Sequence, residues 1–248
     1  MPSSRFIALL LLTGIALTAA EAKPRPSATE PLEYQNCKSY DYPARHAAIL
    51  KAKDALDPQI VMIGDSITHH WGGVPSDHLR NGAKVLKAEL GKYRVLNLGF
   101  GHDRTQNVIW RLRNGELDGV KPEWVVIHIG TNNTSDGHTA EEIMAGIKVI
   151  CEEVKQRTPK AKVILMSILP HDKKPTARRR VLIDATNVLI AAYAKEQKFI
   201  HLDIGKEYLD PEGNVMGKLM PDACHPNADG YLIWAKALNA IFDGQAKP

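Results

Sequence analysis

Five short apolar runs recur along the chain, at Gln59 to Gly64, Tyr93 to Gly99, Trp124 to Gly130, Lys162 to Leu169 and Phe199 to Ile204. Each is rich in branched residues and bounded by Gly, Pro or charge, the pattern of strands buried on both faces of a parallel sheet. Between the runs the period lengthens. Ile143, Ile147, Ile150 and Val154 fall at i, i+4, i+7 and i+11, one stripe of an amphipathic helix. Thr139 precedes it with Glu142 three residues on, a capping-box signature. A second helix is predicted from about Thr176 to Gln197. A last one runs from Asn227 to Phe242, with Pro226 at its start and a buried stripe of Tyr231, Trp234, Leu238 and Ile241. Strand alternating with helix predicts an α/β fold, a three-layer α/β/α sandwich around a five-stranded parallel, flavodoxin-like sheet. Internal repeats are not apparent.

The first residues depart from this periodicity. "MPSSR", the uncharged run Phe6 to Ala20 and the small-residue segment "AEA" match a secretory signal cleaved near Ala22. Fifteen apolar residues are short of the roughly 20 that a membrane span needs, and no later run has that length, so no stable membrane anchor is expected. The expected organisation is a signal peptide over 1–22, a flexible lead-in over 23–40 and one domain over 41–248, exported to the periplasm or beyond. A net charge of +4 is too mild to imply nucleic acid. The densest basic run, Arg178 to Arg180, lies in a predicted helix and is expected to form a solvated face. Of three cysteines, Cys37, Cys151 and Cys224, at least one is left over, and a Cys37 to Cys224 bridge stays open. No two have metal-ligand spacing.

In a parallel α/β sheet, ligands bind where the strands end and loops enter helices. The loops after the first three runs, "GDSITHH", "GFGHDRT" and "GTNNTSDG", are full of Gly, Ser, Asn, Asp and His. Ser66 stands at a sharp strand exit and needs a base to become a nucleophile. In "MPDACHPNADGY", Asp222 and His225 are three residues apart, a spacing that lets a carboxylate orient an imidazole. Acyl transfer also needs donors for an oxyanion. Asn132 and Asn133 offer side-chain amides, and Gly99 to His102 offers backbone amides. Each signal alone has a plainer reading as turn chemistry.

Taken in order, the chain resembles the SGNH (GDSL-type) hydrolases, and within them the platelet-activating factor acetylhydrolase catalytic subunits. The resemblance is carried by "IGDS" at Ile63 to Ser66, "GFGHDRTQNVIWRLRNGELDGVKP" at Gly99 to Pro122, "GTNN" at Gly130 to Asn133 and the Asp-x-x-His couple. It implies Ser66 as nucleophile, His225 as general base and acid, and Asp222 as its orienting carboxylate. It also implies an oxyanion hole built from the amide of Ser66, the side chain of Asn132 and the amide of His102. His102 stands where the family has glycine; a positive φ there would be strained, and its imidazole would narrow the acyl pocket.

The expected activity is hydrolysis of short-chain esters, acetyl esters first, with no cofactor or metal. Its substrate is a small-molecule or glycan ester, and a homodimer is left open. Lysophospholipase or thioesterase activity on lipids and an inactive carbohydrate-binding protein are the alternatives. A dinucleotide site is disfavoured because Arg104 replaces the third glycine of G-x-G-x-x-G. Metal-dependent hydrolysis through His69, His70, His128 and His171 is disfavoured because they share no ligand spacing. His128, within the third run, is expected to be a hydrogen-bonded interior residue.

Overall fold

The computed structural model describes residues 26–34, 38–76, 78 and 80–244. Five parallel strands, β1 (Ile60–Gly64), β2 (Val95–Gly99), β3 (Trp124–His128), β4 (Lys162–Met166) and β5 (Ile200–Leu202), pair in the order β2-β1-β3-β4-β5. The register sets Gly64 beside both Gly99 and His128, so β1, β2 and β3 end level and their following loops meet. The order reverses direction at β1, which makes the end of β1 and β3 the crevice where parallel sheets take ligands.

Among the described residues seven α-helices surround the sheet: α1 (Tyr42–Leu56), α2 (Ser66–His69), α3 (Ala83–Leu90), α4 (Thr105–Arg111), α5 (Ala140–Arg157), α6 (Arg178–Gln197) and α7 (Ala228–Phe242). Successive strand residues point to opposite faces. Val61, Ile63, Val125 and Ile127 therefore pack with α1, α4, α5 and α6, while Ile60, Met62, Trp124 and Val126 pack with α3 and α7. The predicted stripes of α5 and α7 are buried, and the Thr139/Glu142 capping box forms. Asn227, not Pro226, caps α7: its side chain accepts from Gly230 N at 3.1 Å, and the helix starts at Ala228.

Two further features differ from the expectations. Residues 26–34 of the expected flexible lead-in are tied to the domain: Leu32 N donates to Gln106 O at 3.1 Å and Thr105 Oγ1 to Ala28 O at 2.8 Å. The lead-in docks on α4 through one backbone carbonyl and one side-chain hydroxyl, which its composition does not reveal. Of the basic run, only Arg178 is solvated; Arg179 turns to Asp172, and Arg180 is buried and donates to Asp184. No helix among the described residues is long and apolar enough to cross a membrane. Residues 1–25 and Cys37 lie outside the described residues, and with them the signal peptide and the Cys37 to Cys224 pairing; among the described residues Cys151 and Cys224 form no disulfide.

Candidate active site

Ser66 is the first residue of α2, immediately beyond β1. Asp65 caps that helix, its Oδ1 accepting from Ile67 N at 2.9 Å. Burial pushes the Asp65 carboxyl up to about 6, against the pull of the Ile67 amide and of the nearby His225. Two buried groups hold α2 from outside. Asn97, a polar residue inside apolar β2, donates to Thr68 O at 2.9 Å and Gly72 O at 2.7 Å, and Tyr231 on α7 donates to Ile67 O at 2.6 Å. A Cβ on Gly99 would overlap the backbone of Thr68 and His69, so only glycine lets β2 end this close to α2.

The loop before α7 brings Asp222 and His225 to Ser66, across 159 positions of sequence. His225 Nδ1 lies 2.6 Å from Asp222 Oδ2, and its Nε2 lies 2.8 Å from Ser66 Oγ. A carboxylate only accepts, so Nδ1 carries the proton and the lone pair on Nε2 receives the serine hydroxyl. Burial raises the Asp222 carboxyl, but hydrogen bonds from the His225 amide and ring and the Cys224 amide outweigh it and leave the carboxyl below its ordinary value. This geometry lets a base draw a proton from Ser66 while a carboxylate fixes the base.

The donors separate on inspection. Asn132 donates Nδ2 to Asp103 O at 2.8 Å, which orients its amide and leaves its second N–H on the cavity side. Asn133 is buried and structural, its Oδ1 accepting from Thr105 N at 3.0 Å. His102 adopts φ 67, the left-handed region its glycine-like position requires, and no partner among the described residues takes its N–H. Its ring is held by the N-terminal segment, with Nε2 3.2 Å from Ser39 Oγ and its plane parallel to that of Tyr34. The Ser66 N–H, at the first turn of α2, has no intrahelical acceptor. Three donors thus stand around the serine.

Beneath them Arg111, fully buried, donates Nε to Asp103 Oδ2 at 2.9 Å, pairs with Glu116 and stacks on Phe100 with its cation 4.0 Å from the ring centroid. The Asp103 whose carbonyl holds Asn132 is therefore itself anchored in the interior.

A cavity of about 470 Å³ opens over Ser66, and Ser39, Tyr40, His70, His102 and His171 line it with the triad and Asn132. Tyr40 donates to Gly101 O at 3.1 Å, and the His70 ring sits 4.8 Å from the His225 ring. Of these wall residues, Ser39, Tyr40 and His171 carry no local sequence motif. The four histidines considered as metal ligands are dispersed: His69 accepts from Gly101 N at 3.1 Å, His128 accepts from Leu169 N at 3.2 Å in the core, His70 abuts His225, and His171 pairs with Asp172. Among the described residues, no three His, Cys, Asp or Glu side chains form a metal-binding group.

Known proteins are similar to this chain in sequence and in fold. The model of the GDSL-like lipase/acylhydrolase family matches residues 62–233. The human platelet-activating factor acetylhydrolase IB subunit alpha1 is 32% identical over 196 residues, covering 79% of this chain and 80% of that protein. The alpha2 subunit from Rattus norvegicus is 31% identical, covering 78% and 79%. Among solved structures, a GDSL-like lipase from Bacteroides thetaiotaomicron superposes with a TM-score of 0.63 at 21% identity, over 83% of this chain and 97% of that one. An acetylxylan esterase from Geobacillus stearothermophilus has a TM-score of 0.58 at 22% identity, over 73% and 92%. On this fold, with these motifs and relatives, the chain belongs to the GDSL-like lipase/acylhydrolase family and is a carboxylic ester hydrolase.

Proposed function

We propose that this enzyme removes short acyl groups, acetyl above all, from hydroxyl-rich alcohols such as sugars, through Ser66, His225 and Asp222. The observation that carries this reading is the cavity wall. Its residues are serine, tyrosine, histidine, asparagine, glycine, aspartate and cysteine, with no aliphatic side chain among them. A fatty acyl chain gains about 0.8 kcal/mol for each buried CH₂, and this wall offers it no aliphatic side chain to pack along. A methyl group needs little such surface, and a polyol finds partners. The resemblance to acetylhydrolase subunits supports the same acyl group.

In this mechanism His225 Nε2 takes the Ser66 proton as Oγ attacks the carbonyl carbon. The amides of Ser66 and His102 and the Asn132 side chain receive the oxyanion. On collapse the bond to the alcohol oxygen breaks and Nε2 returns the proton to the leaving alcohol. Water then attacks the acyl-serine by the same route and frees the acid. Asp222 stabilises the imidazolium in both steps, and no cofactor enters. Action after export is part of this proposal, and the leader-like composition of residues 1–22 supports it.

A series of p-nitrophenyl esters from acetyl to octanoyl, run on the wild type and Ser66→Ala, tests this reading. The acetyl ester should be fastest, and Ser66→Ala should lose at least about a thousandfold in kcat at an unchanged melting temperature. Faster turnover of octanoyl than acetyl would establish the lipid reading instead, and an active Ser66→Ala would remove the serine from its role.

A further inference from the structure

Beside the triad, the cavity carries a second carboxylate and imidazole couple that acyl transfer does not use. His171, on the loop from β4 to α6, has Nδ1 3.0 Å from Asp172 Oδ1. The carboxylate accepts, so Nδ1 holds the proton and the neutral ring presents a lone pair at Nε2. Asp172 is fixed in turn: Arg179 donates Nη2 to Oδ1 at 2.9 Å and Nε to Oδ2 at 3.2 Å. The Asp172 N–H donates to Ala223 O at 3.1 Å, tying this loop to the one that carries Asp222 and His225. Among the described residues no group bonds His171 Nε2, and the ring lines the cavity. Burial and the Arg179 cation hold the imidazole below its ordinary value against the pull of Asp172, which keeps the lone pair available at neutral pH.

The position of this acceptor fixes what it would meet. The leaving alcohol takes its proton from His225 Nε2, so the alcohol lies beside His225. His171 and His225 line the same cavity, and the Asp172 N–H bonded to Ala223 O holds their two loops side by side. Asn132 and His102, by contrast, belong to the oxyanion side. A lone pair aligned by a clamped carboxylate, on the alcohol side and without a partner, is complementary to a hydroxyl.

We infer that His171 is a specificity residue whose Nε2 accepts a hydrogen bond from a free hydroxyl neighbouring the ester oxygen, so that the enzyme selects monoesters of vicinal diols, as in a partly acetylated sugar. Asp172 and Arg179 are positioning residues for that ring. The inference rests on the polyol-ester reading above.

Three substrates separate the two: a methyl xyloside monoacetate with a free neighbouring hydroxyl, its deoxy counterpart, and p-nitrophenyl acetate. Each is run on the wild type, His171→Ala and His171→Gln, and kcat/KM is read. The wild type should prefer the hydroxyl over the deoxy substrate by about 5- to 10-fold, the worth of one neutral hydrogen bond. His171→Ala should erase that preference while keeping p-nitrophenyl acetate turnover within about twofold, and His171→Gln, whose amide oxygen accepts, should restore part of it. A wild type that cleaves both xylosides equally well overturns the His171 assignment and leaves the polyol reading intact. So does a preference that survives in His171→Ala, or an equal loss on all three substrates. A wild type that cleaves p-nitrophenyl acetate and neither xyloside overturns the polyol reading and this inference with it.

Discussion

Acidification from pH 7 to 4 should weaken the fold through one interior side chain, His128. It ends β3, is 1% exposed, and its Nε2 accepts from Leu169 N at 3.2 Å. Protonation at Nε2 would set a donor against a donor and place a cation in the core. Burial accordingly lowers its pKa from 6.5 to about 4. The unfolded chain then binds a proton that the folded chain refuses between those values. The resulting stability is fully present above pH 6.5 and is lost as pH falls through about 4. At about 1.36 kcal/mol for each unit, this amounts to about 3 kcal/mol between pH 7 and pH 4. The control is His128→Gln, whose amide oxygen accepts from Leu169 N and does not titrate. Urea unfolding of both proteins at pH 7, 6, 5 and 4 isolates the contribution, because groups distant from position 128 cancel in the difference. The wild type should fall by about 3 kcal/mol more than the variant. Parallel curves for the two proteins would refute the reasoning.

Two other outcomes are expected. Asn132→Ala removes one oxyanion donor and should lower kcat on p-nitrophenyl acetate by about 10²- to 10³-fold with little change in KM; a loss under about threefold would take Asn132 out of the hole. Arg111→Met leaves Asp103 and Glu116 buried without their cation and should cost about 3–5 kcal/mol in chemical denaturation, with kcat falling as Asn132 loses its anchored partner; an unchanged midpoint would show that the buried pair is dispensable.

The sheet was legible because strands covered on both faces must be apolar at every position, as the five residues of β1 are. Helix α5 was legible because one stripe meets the core and a capping box marks its start. Helix α1 escaped because charged residues occupy part of its buried face. Arg45 is 6% exposed and donates Nε to Gly99 O at 2.9 Å, and Lys53 is equally interior and donates to Asp118 O. A hydrophobic periodicity cannot register a face whose inward groups are cations satisfied by distant carbonyls. Helix α3 escaped because eight residues hold only Leu86 and Leu90 as a stripe. The site divides the same way. Ser66, Asn132 and His225 stand in motifs next to strand ends or a helix start. Tyr40 and His171 acquire a place in the cavity only through packing with remote segments.

Backbone strain connects these two classes of residue. Five non-glycine residues among those described have positive φ, and two of them, Asp57 and Lys198, are ordinary helix C-caps. The other three, His102, Asp172 and Ala223, belong to the three loops that surround Ser66. Each such conformation costs on the order of 1–3 kcal/mol and persists only where neighbours over-determine it. The neighbours are identifiable: Ser39 and Tyr40 hold the His102 turn, Arg179 holds Asp172, and the Ala223 amide donates to Met220 O at 2.9 Å while its carbonyl receives Asp172. The three turns bring His102, His171 and His225 to the one cavity over Ser66. A glycine at position 102 would relieve strain there, yet it would also release the wall that Ser39 and Tyr34 build on the ring. His102 therefore couples its own turn to the N-terminal segment.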